Sequence, residues 1–355
     1  MGANVHLSTG YAYLKKVPDE NCREETMFEV SRRALLTGAA AALAPAITTS
    51  PARTAAPPVG KQTAACYRYK VGDIECTSVN DGARTFPMPD GWVGNVSKEE
   101  ALAAAEAAYM PKGMVTVTFN PQLINTGGKL VLIDCGFGPG ALEPSKGAIG
   151  RTVSNLAAAG VDANSIDVVL MSHLHPDHTN GIRAADNSMT FPNAEIMVPA
   201  KDWAFWMSEE NAARVQSNKM MKDYFDNVRK VYGGIESKVT KYEWDKEIAP
   251  GITSIATPGH TPGHTSFVLA SGSAKVLIQS DVTNIPELFL VHPDWHVTYD
   301  VDPDLASQTR HKFFDMAAAE KATVVGFHYQ FPSIGHVEKT ATGYRLVPAA
   351  WNPTL

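Results

Sequence analysis

Apolar and polar positions alternate from Tyr67 to Val79, broken at Val71-Gly72-Asp73-Ile74, which predicts two strands joined by a turn. Asp81-Gly82 ends this pair. Residues 83–96 hold Pro87, Pro89, Gly91 and Gly94 and read as a loop. Ser97-Lys98-Glu99-Glu100 opens an alanine-rich stretch to Tyr109, which predicts a capped helix. Val115–Asn125 and Lys129–Asp134 predict strands joined by Thr126-Gly127-Gly128. Thr152–Ala159 predicts a helix stopped by Gly160, and Ile166–Ser172 a strand. Gly181–Ala185 is expected to open a helix, Ala194–Val198 to form a strand, and Lys201–Tyr232 to be mostly helical. Ile252–Thr257, Thr265–Leu269, Lys275–Gln279 and Thr323–Gly326 predict strands, Asp304–Ala319 a helix, and Tyr344–Pro348 the closing segment. Strands and helices interleave, yet some neighbouring strands are joined by tight turns. That mixture predicts two mixed sheets packed together with helices outside.

With 355 residues, 44% hydrophobic, the chain is long enough for a sizeable core. Its formal charge of −6 excludes the basic footprint of a nucleic-acid binder. No apolar run is long enough to span or anchor in a membrane. Cys22, Cys66, Cys76 and Cys135 match no zinc-ribbon or redox spacing. Cys66 and Cys76 could bridge across a hairpin in an oxidising compartment. Two unpaired thiols are the favoured reading.

Residues 1–65 read as an address and linker, and 66–355 as the folded domain. Ser31-Arg32-Arg33-Ala34-Leu35-Leu36 is a twin-arginine pattern, followed by a short alanine-rich apolar stretch and the triplet Ala44-Pro45-Ala46. The expected location is periplasmic or secreted. Met27 is a candidate start for a leader of ordinary length. Residues 47–65, rich in Pro, Ala and Thr, read as a flexible linker.

The candidate chemistry is concentrated in Ser172-His173-Leu174-His175-Pro176-Asp177-His178. Imidazole and carboxylate are the usual ligands of zinc and similar ions. In an extended segment, residues two apart face the same way, so His173 and His175 can reach one ion. Asp177 and His178 follow at a turn and can reach a second. Three further β-prone segments each stop at a candidate ligand: Ile252–Thr257 before His260, Val276–Gln279 before Asp281, and Thr323–Gly326 before His328. Ligand sites in layered folds sit where loops converge at strand ends.

The motif His173-x-His175-x-Asp177-His178, the run Thr257-Pro258-Gly259-His260-Thr261-Pro262-Gly263-His264, Asp281 and His328 together resemble the metallo-β-lactamase superfamily over roughly residues 67–350. The resemblance implies an αββα sandwich with two divalent metals at one edge. His173, His175 and His260 would hold the first. Asp177, His178 and His328 would hold the second, and Asp281 would bridge both. His264 and Asp134 would support these ligands, with Cys135 standing where the family usually has threonine. Zinc is the expected ion, with iron, cobalt or manganese as alternatives.

Pro262–Val268, His328–His336 and Gly343–Pro348 are similar to the methyl parathion hydrolase group, which includes organophosphate-degrading enzymes and lactonases. In that group aromatic residues wall the substrate pocket. Trp206, and Tyr224 or Phe225, fall where two of them would lie, and residues 136–150 offer no clear third. The implied reaction is hydrolysis of an ester, lactone or phosphotriester by a hydroxide shared between the metals, with Asp177 passing a proton to the leaving group. The expected partner is a small molecule, and such enzymes are often homodimers.

The rival within this class is a dedicated N-acyl-homoserine lactonase. Many of these carry tyrosine three residues after the bridging aspartate, where this chain has Asn284. Other branches fit less well. The ligand pattern departs from the β-lactamases, and too few residues follow His328 for a glyoxalase II tail. His175 stands where flavodiiron proteins have glutamate. A metal scaffold without catalysis is the remaining alternative. The segment from Asn284 to Val301 offers Phe289 and Trp295 to the pocket mouth, unless it is a structural excursion or a subunit contact.

Overall fold

The computed structural model describes residues 59, 60 and 62–355; the twin-arginine stretch and Cys22 lie outside them. The first strands, β1 (Cys66–Val71) and β2 (Ile74–Val79), form the expected hairpin. They are followed by β3 (Gly82–Pro87) and by α1 (Lys98–Ala107), whose Ser97 cap accepts the Glu100 N–H. Next come β4 (Met114–Phe119), β5 (Gln122–Thr126), β6 (Lys129–Ile133), α2 (Thr152–Ala158) and β7 (Val168–Leu170). The one-turn helix α3 (Pro176–Thr179) leads to β8 (Glu195–Pro199). Three helices, α4 (Ala200–Trp206), α5 (Glu209–Arg214) and α6 (Lys219–Tyr232), precede β9 (Val239–Tyr242).

The second half opens with β10 (Glu247–Ala249), β11 (Ile252–Ala256), β12 (Thr265–Ser271) and β13 (Ala274–Ser280). It continues through α7 (Pro286–Phe289), the long α8 (Pro303–Ala319) and β14 (Thr323–Gly326). The chain ends with β15 (Ile334–Lys339) and β16 (Tyr344–Pro348). One sheet runs β1-β2-β5-β6-β7-β8-β9, the other β10 to β16 in sequence order. Both mix antiparallel hairpins with parallel pairs, β6-β7-β8-β9 in the first and β13-β14 in the second.

The inner faces of both sheets meet in one core. Ile124, Val131 and Leu170 of the first pack with Phe267, Leu269 and Ile278 of the second. The outer face of the first sheet, with Leu132 and Val169, buries Trp206, Phe225 and Val228 of α4 and α6. The outer face of the second, with Leu277 and Val324, buries Phe313 and Phe314 of α8. Such layered burial of apolar area is the main favourable term for the fold. The architecture is the expected αββα sandwich.

Four local expectations are corrected. Residues 83–96 are not all loop, because β3 pairs with β4 as a separate two-stranded ribbon. Arg84, Thr85 and Pro87 are exposed, so this strand carries little apolar alternation. Val115–Asn125 is two strands, because the Asn120 amide turns away to bond the carbonyls of Phe327 and Tyr329. The helix expected at Gly181 lies earlier, at α3, where Pro176 is preset for a first turn. Finally, β9, β10 and β15 were not anticipated; they are short or half-exposed. The favoured unpaired state of Cys66 and Cys76 holds, since both are free. Cys66 packs on the helix side of its sheet and Cys76 between the sheets, so their thiols face opposite ways.

Candidate metal centre and substrate pocket

Each candidate ligand follows a strand end. β7 delivers His173 and His175, and α3 then presents Asp177 and His178 in one turn. β11, β13 and β14 deliver His260, Asp281 and His328. Two of the junctions need unusual backbone. Asp134 at the end of β6 and Ser280 before Asp281 have φ of 58° and 52°, a region non-glycine residues seldom occupy except where function requires it. Gly259, beside His260, has φ 132°, and a Cβ there would lie 2.3 Å from the Ala306 nitrogen. Only glycine fits.

The ligand atoms gather as the spacing suggested. His173, His175 and His260 form one group within metal-sharing distance, and Asp177, His178 and His328 another. Asp281 lies between them. Its Oδ2 is 3.3 Å from His260 Nε2, 3.4 Å from His178 Nε2 and 2.9 Å from His328 Nε2.

The donor set fits a pair of divalent cations on three counts. First, His173 Nε2, His178 Nε2 and Asp281 Oδ1 are buried with no hydrogen-bond partner. Buried polar atoms are rarely left so, and an unfilled ligand role explains them. Second, the opposite ring nitrogens are held. His178 Nδ1 faces Asp134 Oδ2 at 2.9 Å, His260 Nδ1 faces Asp300 Oδ1 at 2.8 Å, and His328 Nδ1 donates to the Thr118 carbonyl at 2.8 Å. His173 Nδ1 meets Ser172 Oγ at 3.0 Å, and that hydroxyl reaches Asp134 at 2.8 Å. With Nδ1 donating, each Nε2 turns a lone pair inward. Third, charge is arranged for a cation. Burial, and then the neighbouring histidines, push His173 and His175 well down, towards neutral ligands. Burial opposes charge on His178 and His328, but Asp281 and the other nearby carboxylates outweigh it and raise both.

Sequence reading missed two supporting carboxylates. Asp300 orients His260 and faces buried Arg310 at 3.5 Å. Asp202 clamps two ligand loops together by accepting the N–H groups of Leu174 and Gly263, each at 2.9 Å. Neither stands in a recognisable motif, so only their contacts reveal them.

A profile described as the metallo-beta-lactamase superfamily matches residues 120–328. This chain belongs to the metallo-beta-lactamase superfamily. Its reaction class is therefore that of a metal-dependent hydrolase. Among curated relatives, the N-acyl homoserine lactonase AiiA of Bacillus thuringiensis subsp. kurstaki is 26% identical over 193 residues, covering 54% of this chain and 67% of the relative. Among solved structures, the hydrolase AbOPH superposes with a TM-score of 0.74 at 29% identity, over 82% of this chain and all (100%) of that one. AidC, a dizinc quorum-quenching lactonase, shares the fold, with a TM-score of 0.72 at 24% identity over 81% of this chain and 99% of its own.

On this superfamily frame the ligands open into a pocket of about 220 Å³. Its walls include Arg84, Phe86, Phe119, Phe137, Tyr224, Asn284 and Tyr299, beside His175, Asp177, His260, Asp281 and His328. Tyr224 and Asn284 are both in its wall. Trp206 and Phe225 are not: both are fully buried in the core behind His175, and the Trp206 indole donates to Asp202 at 3.1 Å. The family resemblance put Trp206 near the site but could not say which side of His175 it takes. The third aromatic does exist within residues 136–150, as Phe137. Phe289 and Trp295 belong to a side core, and Asn284 and Tyr299 are the residues of that segment which line the pocket. His264 supports rather than lines the site, accepting the Asp281 N–H at 3.0 Å.

Proposed function

We propose that this chain hydrolyses small lactones, with esters and phosphotriesters as secondary substrates. The carrying observation is that two ligand groups, joined by Asp281, open into one pocket walled by aromatic rings. The lactonase relatives favour a lactone over the other two bonds. His173, His175 and His260 would hold one ion, Asp177, His178 and His328 the other, and Asp281 would touch both. Zinc is the proposed ion. Ions so held would polarise the bond under attack and make a water molecule acidic enough to react near neutral pH.

The chain's own residues do the rest. Asp177 is the more exposed of the two carboxylates lining the pocket, its side chain 20% exposed and 3.5 Å from His328 Nε2. It can take a proton from the attacking water and pass it to the leaving oxygen. Phe86, Phe119 and Phe137 exclude bulk water, which strengthens every polar contact inside. Tyr299 Oη accepts from Trp92 Nε1 at 3.2 Å, leaving its own hydrogen for a substrate oxygen. Burial raises the pKa of the Tyr224 and Tyr299 phenols, so both remain donors at neutral pH.

Assays of metal-loaded protein on acyl lactones, p-nitrophenyl esters and phosphotriesters test this reading. Turnover of lactones that a chelator abolishes and added zinc restores is expected. Metal-loaded protein inactive on all three classes would refute it. Export through the twin-arginine stretch is part of the proposal, and N-terminal sequencing of secreted protein checks it.

A further inference from the structure

Every other arginine among the described residues makes a hydrogen bond or an ion pair. Arg84 makes neither with any described residue, and it is the arginine in the pocket. It is also the only lysine or arginine among the pocket-lining residues. Its position is defined by a ladder of rings. The guanidinium sits 5.9 Å from the Phe137 ring centre. Phe137 meets Phe119 edge-on at 4.9 Å, and Phe119 meets His328 at 5.5 Å. Two aromatic rings thus separate a free cation from a metal-facing histidine.

An unpaired guanidinium on an exposed strand is ordinarily just solvated. This one differs in where β3 puts it. It lines, from an exposed strand, a small pocket whose other charged residues are the carboxylates Asp177 and Asp281, and two rings stand between it and His328. Guanidinium is weakly hydrated and presents a planar fork matched to carboxylate. Stacked near Phe137, it keeps that fork free to face a ligand.

We infer that Arg84 receives a carboxylate carried by the substrate at the end remote from the bond that is cleaved. This rests on the hydrolase reading and narrows it to anionic substrates. An ester or lactone lying along Phe119 and Phe137 would place its reacting group at the ligand cluster and its free carboxylate at Arg84.

The test compares matched pairs on metal-loaded protein. p-Nitrophenyl hydrogen glutarate against p-nitrophenyl pentanoate puts the anion on the acyl side. 4-Acetoxybenzoate against phenyl acetate puts it on the leaving side. The wild type should prefer the anionic member of at least one pair. Arg84→Gln should reduce that preference, as a ratio of kcat/KM, by about tenfold or more. Arg84→Lys should retain part of it, because charge survives but the fork does not. Added salt should erode the preference in the wild type and not in Arg84→Gln. A preference absent in the wild type, or untouched by Arg84→Gln, overturns the proposal.

Calorimetry with glutarate and pentanoate separates this claim from the hydrolase reading, because it needs no turnover. Glutarate should bind about tenfold tighter, and Arg84→Gln should erase the difference. That result without any turnover would leave the Arg84 role standing and sink the hydrolase reading. Turnover with no difference between the two acids would do the reverse.

Discussion

His264 Nε2 accepts the backbone N–H of Asp281 at 3.0 Å, while its Nδ1 lies 2.9 Å from the Thr257 carbonyl. The ring thus ties the end of β11 to the residue between the two ligand groups. Burial pushes its pKa down to about 3, so it stays neutral and keeps one donor and one acceptor. His264→Ala should leave Asp281 free to turn. Metal affinity should fall about 10- to 100-fold, as for other groups that orient ligands. Titration with zinc against a competing chelator measures it, and unchanged affinity would return His264 to a packing role.

Asp300 serves two partners, His260 and the buried Arg310. Asp300→Ala strands a buried charge, which costs about 3–5 kcal/mol in comparable cases. Urea unfolding of the metal-free protein should show that loss. The double variant Asp300→Ala/Arg310→Met should recover part of the stability without recovering metal affinity. Parallel recovery of both would mean that Asp300 does not orient His260.

Trp206 lies in the core and Phe137 lines the pocket, although the resemblance pointed Trp206 towards the pocket and gave Phe137 no role. Trp206→Ala removes a fully buried indole and should cost about 3–5 kcal/mol. Phe137→Ala, at the pocket wall, should alter the ranking of substrates with little loss of stability. Thermal melts and a substrate panel measured together decide between these placements.

Glu287 on α7 has Oε2 buried without a partner, and burial raises its carboxyl pKa. Protonation is therefore easier in the folded state than in the unfolded chain. Its contribution to stability is fully present below the unfolded value of about 4.3 and is lost as pH rises through the folded value. Glu287→Gln should be more stable than the wild type at pH 7, by about 1 kcal/mol, with the gap closing below about pH 4. A gap independent of pH would place the effect elsewhere than in this carboxyl group.

Much of the site was legible because its ligands are tied to local patterns. His173, His175, Asp177 and His178 share one strand-to-turn segment, and His260, Asp281 and His328 each close a β-prone run. Period-two alternation and turn residues likewise made β1, β2 and the hairpin after β5 readable, since both are local properties of the chain. β3 was missed because its exposed residues leave no such pattern, and Arg84 and Phe86 were missed with it.

The sequence by itself determined which candidate ligands follow β-prone runs, their order along the chain, and the thiols' lack of a redox motif. These follow from residue type and spacing along one chain. Only the tertiary structure decided which side of His175 each aromatic ring takes, that Asp300 and Asp202 brace the candidate ligands, and that Arg84 lines the pocket without a partner among the described residues. Those are contacts between segments far apart in the chain. No local preference encodes them, because packing between layers selects among faces that the backbone pattern leaves equivalent.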